Sequence, residues 1–398
     1  MSQSRGVTNV RWFVLSVFVL STAINYLDRQ TLATLAPLLR SELHLSNVDY
    51  GFILSAFSVA YALSAPGAGT LIDRFGLNLV TSAAVGVWSM AGIATGLTRG
   101  LAGLVGCRAV LGAAEAAGIP SAAKSIHQYL KPAERALGNG LNQAAVSLGM
   151  MLAPPLATFV ALARGWRSAF VITGLLGLLW IPLWNWASHR YPAPMSPAPS
   201  SGALLGLARD RRLWAFVLAN GLSMVAYSLW TNWTTLFLVD RYRLNLAAAA
   251  SYAWIPPAFA TVGGLCGGWL SLRFVDRGVV PITARFRVCV AASTIALATA
   301  AVPLAPSPGW ASAAISLSIF AVSAFSVNMY SLPLDAFGGA RAASAVSALV
   351  ASYGAIQALI SPGFGKLIDL YGYAPVAIGA SLTPLVASYV LWQTKAIR

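Results

Sequence analysis

The chain has 398 residues, of which 58% are hydrophobic and only 9% charged, and its mean hydropathy is +0.70. A soluble domain carries about 25% charged residues, so the composition excludes an ordinary soluble protein and points to an integral membrane protein. A net charge of +15 would suggest nucleic acid in a soluble chain. In a membrane protein it reflects Lys and Arg kept on the cytoplasmic side, and no nucleic-acid partner is expected.

The apolar runs are mostly near 20 residues. As helices rising 1.5 Å per residue they cross a hydrocarbon core of about 30 Å. Barrel strands would instead show alternating segments of about ten residues. The expected fold class is therefore an all-α membrane protein. Twelve spans are expected, at about 12–38, 50–71, 79–97, 101–124, 137–162, 168–187, 213–238, 249–272, 286–304, 311–333, 342–365 and 374–394. Met1 to Val10 lacks a small-residue cleavage site and reads as a cytoplasmic tail. With that end inside, 17 of the 26 Lys and Arg residues fall in cytoplasmic segments, 7 outside and 2 within the membrane. This bias places both termini in the cytoplasm.

The first span carries Asn25-Tyr26-Leu27-Asp28-Arg29-Gln30. One Asp or Arg at the centre of a membrane helix costs about 2.5–3.5 kcal/mol. Residues that costly are expected to face a polar cavity and act in it. After the second span comes Gly69-Thr70-Leu71-Ile72-Asp73-Arg74-Phe75-Gly76. It looks like the major facilitator superfamily's G-x-x-x-D-R-x-G loop, in which Asp73 and Arg74 would belong to a gate. The pattern also fits a polar turn closed by a glycine. A partial repeat, Gly268 to Arg273 followed by Asp276-Arg277-Gly278, sits after the eighth span.

The fourth span holds Arg108, Glu115 and Lys124. Arg108 lies roughly 11 Å from the outer end of its span and Arg29 roughly 14 Å from its own, so the two cations share a level. Seven residues separate Arg108 from Glu115, which puts the carboxylate on nearly the same helix face and roughly 10 Å further in. Two buried cations at one level call for an anion, and an Arg fork meets a carboxylate bidentately. A structural ion pair of Arg29 or Arg108 with Asp28 or Glu115 is the other reading. Asp28 and Glu115 are the candidate proton sites. Burial favours a neutral carboxyl and a nearby Arg favours an ionised one, so a ligand reaching the Arg changes the carboxyl's hold on its proton. Lys124 falls near the cytoplasmic end, where it would snorkel or serve a gate. Glu115 is flanked by Gly112-Ala113-Ala114 and Ala116-Ala117-Gly118, small residues that let helices approach closely.

The longest polar segment, residues 189–212, contains Pro192-Ala193-Pro194-Met195-Ser196-Pro197-Ala198-Pro199-Ser200-Ser201. Pro and Ser at that density make a linker. It separates an N-terminal six-helix bundle (1–188) from a C-terminal one (213–398), the plan of the major facilitator fold, with substrate bound near the midplane between halves. The second half has no charged residue in mid-span. Tyr227, Asn328, Tyr353 and Gln357 are its candidate hydrogen-bonding groups, with Asn142 of the fifth span beside them. Each could equally be helix–helix glue. Cys107, Cys266 and Cys289 lie in apolar runs and read as packing residues; the three histidines, near span ends, form no metal cluster. There is no P-loop, so no cofactor is expected and a proton gradient is the expected driving force.

Asn25-Tyr26-Leu27-Asp28-Arg29, Ser55-Ala56-Phe57-Ser58-Val59-Ala60-Tyr61, and Arg108 with Glu115 resemble the anion:cation symporter family of the major facilitator superfamily. So do Pro132-Ala133-Glu134-Arg135-Ala136, Leu152-Ala153-Pro154-Pro155-Leu156 and Gly165-Trp166-Arg167-Ser168-Ala169-Phe170, with Asp335, Gly354 and Pro362-Gly363-Phe364-Gly365 later. That family includes bacterial hexuronate and galactonate transporters, the vesicular glutamate transporters and sialin. The resemblance implies that Arg29 and Tyr61 hold the substrate, that Asp28 and Glu115 titrate, that Arg108 tunes Glu115, and that Asp335 belongs with the gating residues. The expectation is a bacterial inner-membrane, proton-coupled symporter of a small organic anion such as a hexuronate or aldonate, working as a monomer in the lipid bilayer and not an enzyme. Ala65, Gly118 and Asn328 stand where sugar-acid transporters carry other side chains, the first two where theirs are polar, which leaves open an aromatic, mono- or dicarboxylic acid. A cation exporter would want an acidic pocket without two arginines, and fits less well.

Overall fold

A computed structural model of the chain describes residues 2–131, 134–191, 209–337 and 339–393. Among them every regular element is helical. Twelve helices are long and apolar enough to cross a membrane, and we number them α1 to α12. They are Val10–Leu43, Asn47–Phe75, Leu77–Gly96, Leu101–Tyr129, Leu137–Arg164, Trp166–Arg190, Arg211–Tyr242, Leu246–Asp276, Pro281–Leu304, Pro308–Phe337, Ala345–Tyr371 and Tyr373–Gln393. These match the twelve spans expected from hydropathy, with most ends at the expected residue or up to several residues beyond it and three falling one to three residues short. The expected linker lies mostly at 192–208, outside the described residues, as does the Pro132-Ala133 pair.

Two compact units form. The first is Met1–Leu39 with Ala56–Pro199, and the second is Arg40–Ser55 with Ser200–Arg398. The segment Arg40–Ser55, at the joint of α1 and α2, thus belongs with the second unit. Arg40 Nη1 pairs there with Asp240 at 2.9 Å, Asn47 Nδ2 donates to Asp369 at 2.7 Å, and Tyr373 donates to Asp240 at 3.1 Å.

In the first unit, Phe18, Trp88, Trp180 and Trp184 form the aromatic centre of the core. Trp180 and Trp184 stack at 5.6 Å, and Trp180 Nε1 donates to the Val17 carbonyl at 2.6 Å. Small residues then set how close the helices come. A Cβ on Gly112 of α4 would stand 2.3 Å from the Phe57 carbonyl of α2, and one on Gly149 of α5 would stand 2.3 Å from the Ala23 carbonyl of α1. α3 and α6 meet as tightly, at Gly174 and Gly177 against Ser89. In the second unit Gly263 and Gly267 of α8 take the backbone of α10 at Phe320 and Ala324. All three cysteines are free; Cys289 is fully buried and packs as expected, Cys107 is partly buried, and Cys266 is exposed, so it is not a core packing residue.

Helix breaks follow from proline and glycine. Gly76, with φ of 87°, turns the chain between α2 and α3, where a side chain would be strained. α4 is interrupted at Ala116–Ala117, between segments Leu101–Glu115 and Gly118–Tyr129. Pro120 has no N–H for the Ala116 carbonyl, and the Ala117 N–H turns back to Ala114. Glu115 is therefore the last residue of a helical segment, and it is buried in the first unit.

Gly263→Ala should push α8 and α10 apart and cost about 1–3 kcal/mol, as overpacking does. Gly379→Ala meets open space and should be neutral or slightly stabilising. Thermal unfolding of the purified protein in detergent should show a clear loss for the first and none for the second.

Candidate functional site

Arg29 projects from α1 into a cavity of about 220 Å³. All the residues that line it belong to the first unit, and they come from α1 to α5. Along α1 the lining runs from Phe18 to Arg29, which is about 16 Å of helix. Arg29, Tyr61 and Glu115 are lining groups near one end, and Phe18, Thr81 and Ser121 lie toward the other.

The Arg29 guanidinium is held on several sides. Its Nε and Nη2 both donate to Glu115 Oε2, at 2.9 and 2.5 Å. Three rings surround its Cζ: Phe57 at 4.7 Å, Tyr26 at 4.9 Å and Tyr61 at 5.6 Å. Phe57 and Tyr61 are one turn apart on α2 and stack on each other. A planar guanidinium suits such a cage better than a compact ammonium. The Arg29 side chain is still 27% exposed, whereas that of Glu115 is fully buried. Glu115 Oε1 has no hydrogen-bond partner.

Asp28 and Arg108 do not line the cavity. Both are 2% exposed. The charges of Arg108 and Arg29 both act on Asp28, and the Arg108 Cζ lies 5.8 Å from the Phe170 ring. Thr173 of α6 donates to Asp28 Oδ1 at 2.7 Å. The sequence put Arg108 and Glu115 on one face of α4, at a separation long for a direct ion pair. Glu115 pairs with Arg29 of α1, one of the pairings left open, and the charge of Arg108 acts on both carboxyls.

Asn142 lies in the cavity wall, where its Oδ1 accepts from Thr22 at 2.8 Å. Asn25 and Gln143 line it too, and Asn25 Nδ2 has no partner. Asn25 stands in the stretch singled out in the first span, yet nothing in the sequence separates it from a packing amide. Gly118 opens onto the cavity, with free space beside its Cα.

The other candidates fall elsewhere. Tyr227 and Tyr353, in the second unit, meet edge to face at 6.3 Å. Asn328 donates to the Gly267 and Ala324 carbonyls, so it ties α8 to α10. Gln357 is buried in α11. Lys124 donates to Asp73 at 2.7 Å and to the Ile72 carbonyl, joining α4 to the end of α2. Arg74 lies over the Phe75 ring. Asp335 pairs with Arg285 of α9. Among the described residues no three His, Cys, Asp or Glu side chains are grouped to hold a metal.

Comparison with known proteins gives the family and the fold. The profile of the Major Facilitator Superfamily matches residues 18–356. The hexuronate transporter of Escherichia coli K12 is 28% identical, over 98% of this chain and 94% of its own length. The galacturonate transporter of Dickeya chrysanthemi is 30% identical over 67% of this chain and 83% of its own. A crystal structure of a bacterial homologue of the human lysosomal transporter Spinster shares the fold, with a TM-score of 0.74 at 21% identity, covering 97% of this chain and 96% of that one. The named relatives are transporters and not enzymes.

The buried pair gives a stability prediction. Removing one member of a buried ion pair leaves the other uncompensated, whereas replacing both by apolar groups does not. Arg29→Met and Glu115→Met should each lower the unfolding temperature. The double variant should sit above the worse single one, with a coupling of about 1–3 kcal/mol in a double-mutant cycle.

Proposed function

We propose that this chain, which belongs to the Major Facilitator Superfamily and is a multi-pass membrane transporter of organic anions, imports a sugar acid together with protons. The observation that carries the proposal is the Arg29–Glu115 pair at the cavity wall. In the empty site the carboxylate neutralises the guanidinium. A substrate carboxylate entering the cavity competes for the same N–H groups. Glu115, displaced from its cation in a buried position, then favours the protonated form. Substrate and proton load together, and release of one favours release of the other.

The neutral lining suits a hydroxylated body. Asn25, Thr22, Ser21, Asn142 and Gln143 supply donors and acceptors along α1 and α5. The relatives named for hexuronate and galacturonate point the same way. A less hydroxylated acid is the second reading, favoured by the lack of a polar side chain at Gly118 in the cavity wall. We place the protein in a bacterial inner membrane with both termini in the cytoplasm, following the Lys and Arg bias of its loops. Lys124–Asp73 and Arg285–Asp335 then stand at the cytoplasmic ends of their helices, where alternating access would make and break them. We propose further that the chain works as a monomer in two six-helix halves, 1–188 and 213–398. With the interior negative, a monoanion entering with one proton moves no net charge, and a second proton adds about 2.3 kcal/mol per 100 mV.

Uptake of labelled glucuronate into proteoliposomes, with and without an inward proton gradient, tests the proposal. Gradient-driven uptake that unlabelled galacturonate suppresses is expected. Arg29→Ala should abolish binding. Glu115→Gln should exchange substrate at a rate near wild type yet fail to accumulate it against a gradient. Wild-type accumulation by Glu115→Gln would remove the proton role from that residue.

A further inference from the structure

Asp28 is one residue from Arg29 and therefore faces about 100° round α1, away from the cavity. Its seat is built by two other helices. α6 supplies Thr173, whose hydroxyl donates to Oδ1 at 2.7 Å. α3 supplies Gly92, where a Cβ would stand 3.2 and 3.3 Å from the two carboxyl oxygens. Oδ2 has no hydrogen-bond partner. The charged groups that act on this carboxyl are Arg29 on its own helix and Arg108 and Glu115 from α4. α3 and α6 themselves are locked together, since Gly174 and Gly177 of α6 admit Ser89 of α3 with no room for a Cβ.

Thr173 has a second acceptor. Its Oγ1 also lies 3.1 Å from the Phe170 carbonyl, one turn back on α6. A hydroxyl carries one proton and can also accept. It cannot donate to Asp28 and Phe170 at once. The two contacts therefore correspond to two orientations of one hydroxyl, one for each charge state of its neighbour. With Asp28 ionised, Thr173 donates to Oδ1. With Asp28 protonated on Oδ1, Thr173 turns its proton to the Phe170 carbonyl and accepts from the carboxyl O–H.

We propose that Thr173 is a positioning residue for Asp28, a reversible partner that hydrogen-bonds the carboxylate as donor and the carboxylic acid as acceptor. The proton that Asp28 gains comes from solvent and returns to it, and Thr173 keeps its own. The inference rests on Asp28 as a proton site in the function proposed above. A fixed donor at this place would favour the ionised form alone, and an apolar side chain would leave either form without a partner.

Infrared difference spectra of the reconstituted full-length protein, recorded as pH is varied, test this without substrate. The carboxyl C=O band absent from Asp28→Asn identifies Asp28. In Thr173→Val the carboxylate loses a charge-assisted bond and the acid only a neutral one. The midpoint of the band should therefore rise by about one pH unit, and its frequency should change. Thr173→Ser should restore both. Thr173→Ala gives the same comparison should the valine variant fail to fold. An unchanged midpoint and frequency in the valine or alanine variant would overturn the proposal, as would the absence of any Asp28 band from the wild type. Gradient-driven glucuronate uptake, measured on the same wild-type preparation, decides the coupling separately. If uptake ignores the gradient while the band shifts as expected, Thr173 keeps its role and the symport does not.

Discussion

A guanidinium inside an apolar helix bundle has to be held, and the way Arg29 is held governs the rest of the first unit. Two of its nitrogens share one carboxylate oxygen of Glu115. Three aromatic rings close around the cation. Neither arrangement forms unless α1, α2 and α4 approach closely. Gly112 permits that at the α2–α4 contact, where its missing Cβ leaves room for the Phe57 carbonyl. Phe57 is thus both the backbone that Gly112 accepts and the ring nearest the cation. Packing and electrostatics meet in one residue, and a change in helix spacing there is a change in the surroundings of Arg29.

The break in α4 has a related effect. Pro120 leaves the Ala116 carbonyl without its usual N–H, and Glu115 ends the helical segment that precedes it. The positive N-terminal end of Gly118–Tyr129 begins three residues on, so the dipoles of the two segments largely offset each other at the break. The compensation for the buried carboxylate therefore comes across helices, from Arg29 at the cavity wall.

The membrane class and the twelve spans were legible because hydropathy over about 20 residues is a one-dimensional signal. The cost of Asp28, Arg29, Arg108 and Glu115 within those spans marked them as a group for the same reason. Their pairing was not legible. Helical periodicity gives depth and face along one helix, and so put Glu115 on the face of Arg108 while leaving its partner open. Contacts across helices depend on rotation and spacing that glycines set, and these gave Glu115 to Arg29. Thr173 carried no signal, since a threonine in an apolar span is ordinary until the carboxylate beside it is seen. Asn25 and Gln143 were hidden likewise among unremarkable amides. Asn328 was legible as polar but not as bound to Gly267 and Ala324. The grouping of Arg40–Ser55 with the second unit had no counterpart in the linker-based division, because a linker marks where the chain is cut and not where its helices pack.

Two carboxyls in one unit, within range of the same two arginines, need not act alike. Glu115 lines the cavity, bonds Arg29 and has one oxygen without a partner. Under the proposed function its hold on a proton responds to the ligand that competes for Arg29. Asp28 faces the α3–α6 wall, out of the cavity, against a hydroxyl and a glycine. A ligand in the cavity would reach it only through charge, by way of the groups whose fields meet there, Arg29, Arg108 and Glu115. Since Arg29 is adjacent on the same helix and bonded to Glu115, neutralising or displacing one carboxylate alters the field at the other. The arrangement sets a cavity-lining acid and a walled-off one in the field of the same two guanidiniums, and under the proposed function a change of charge at one would be felt at the other.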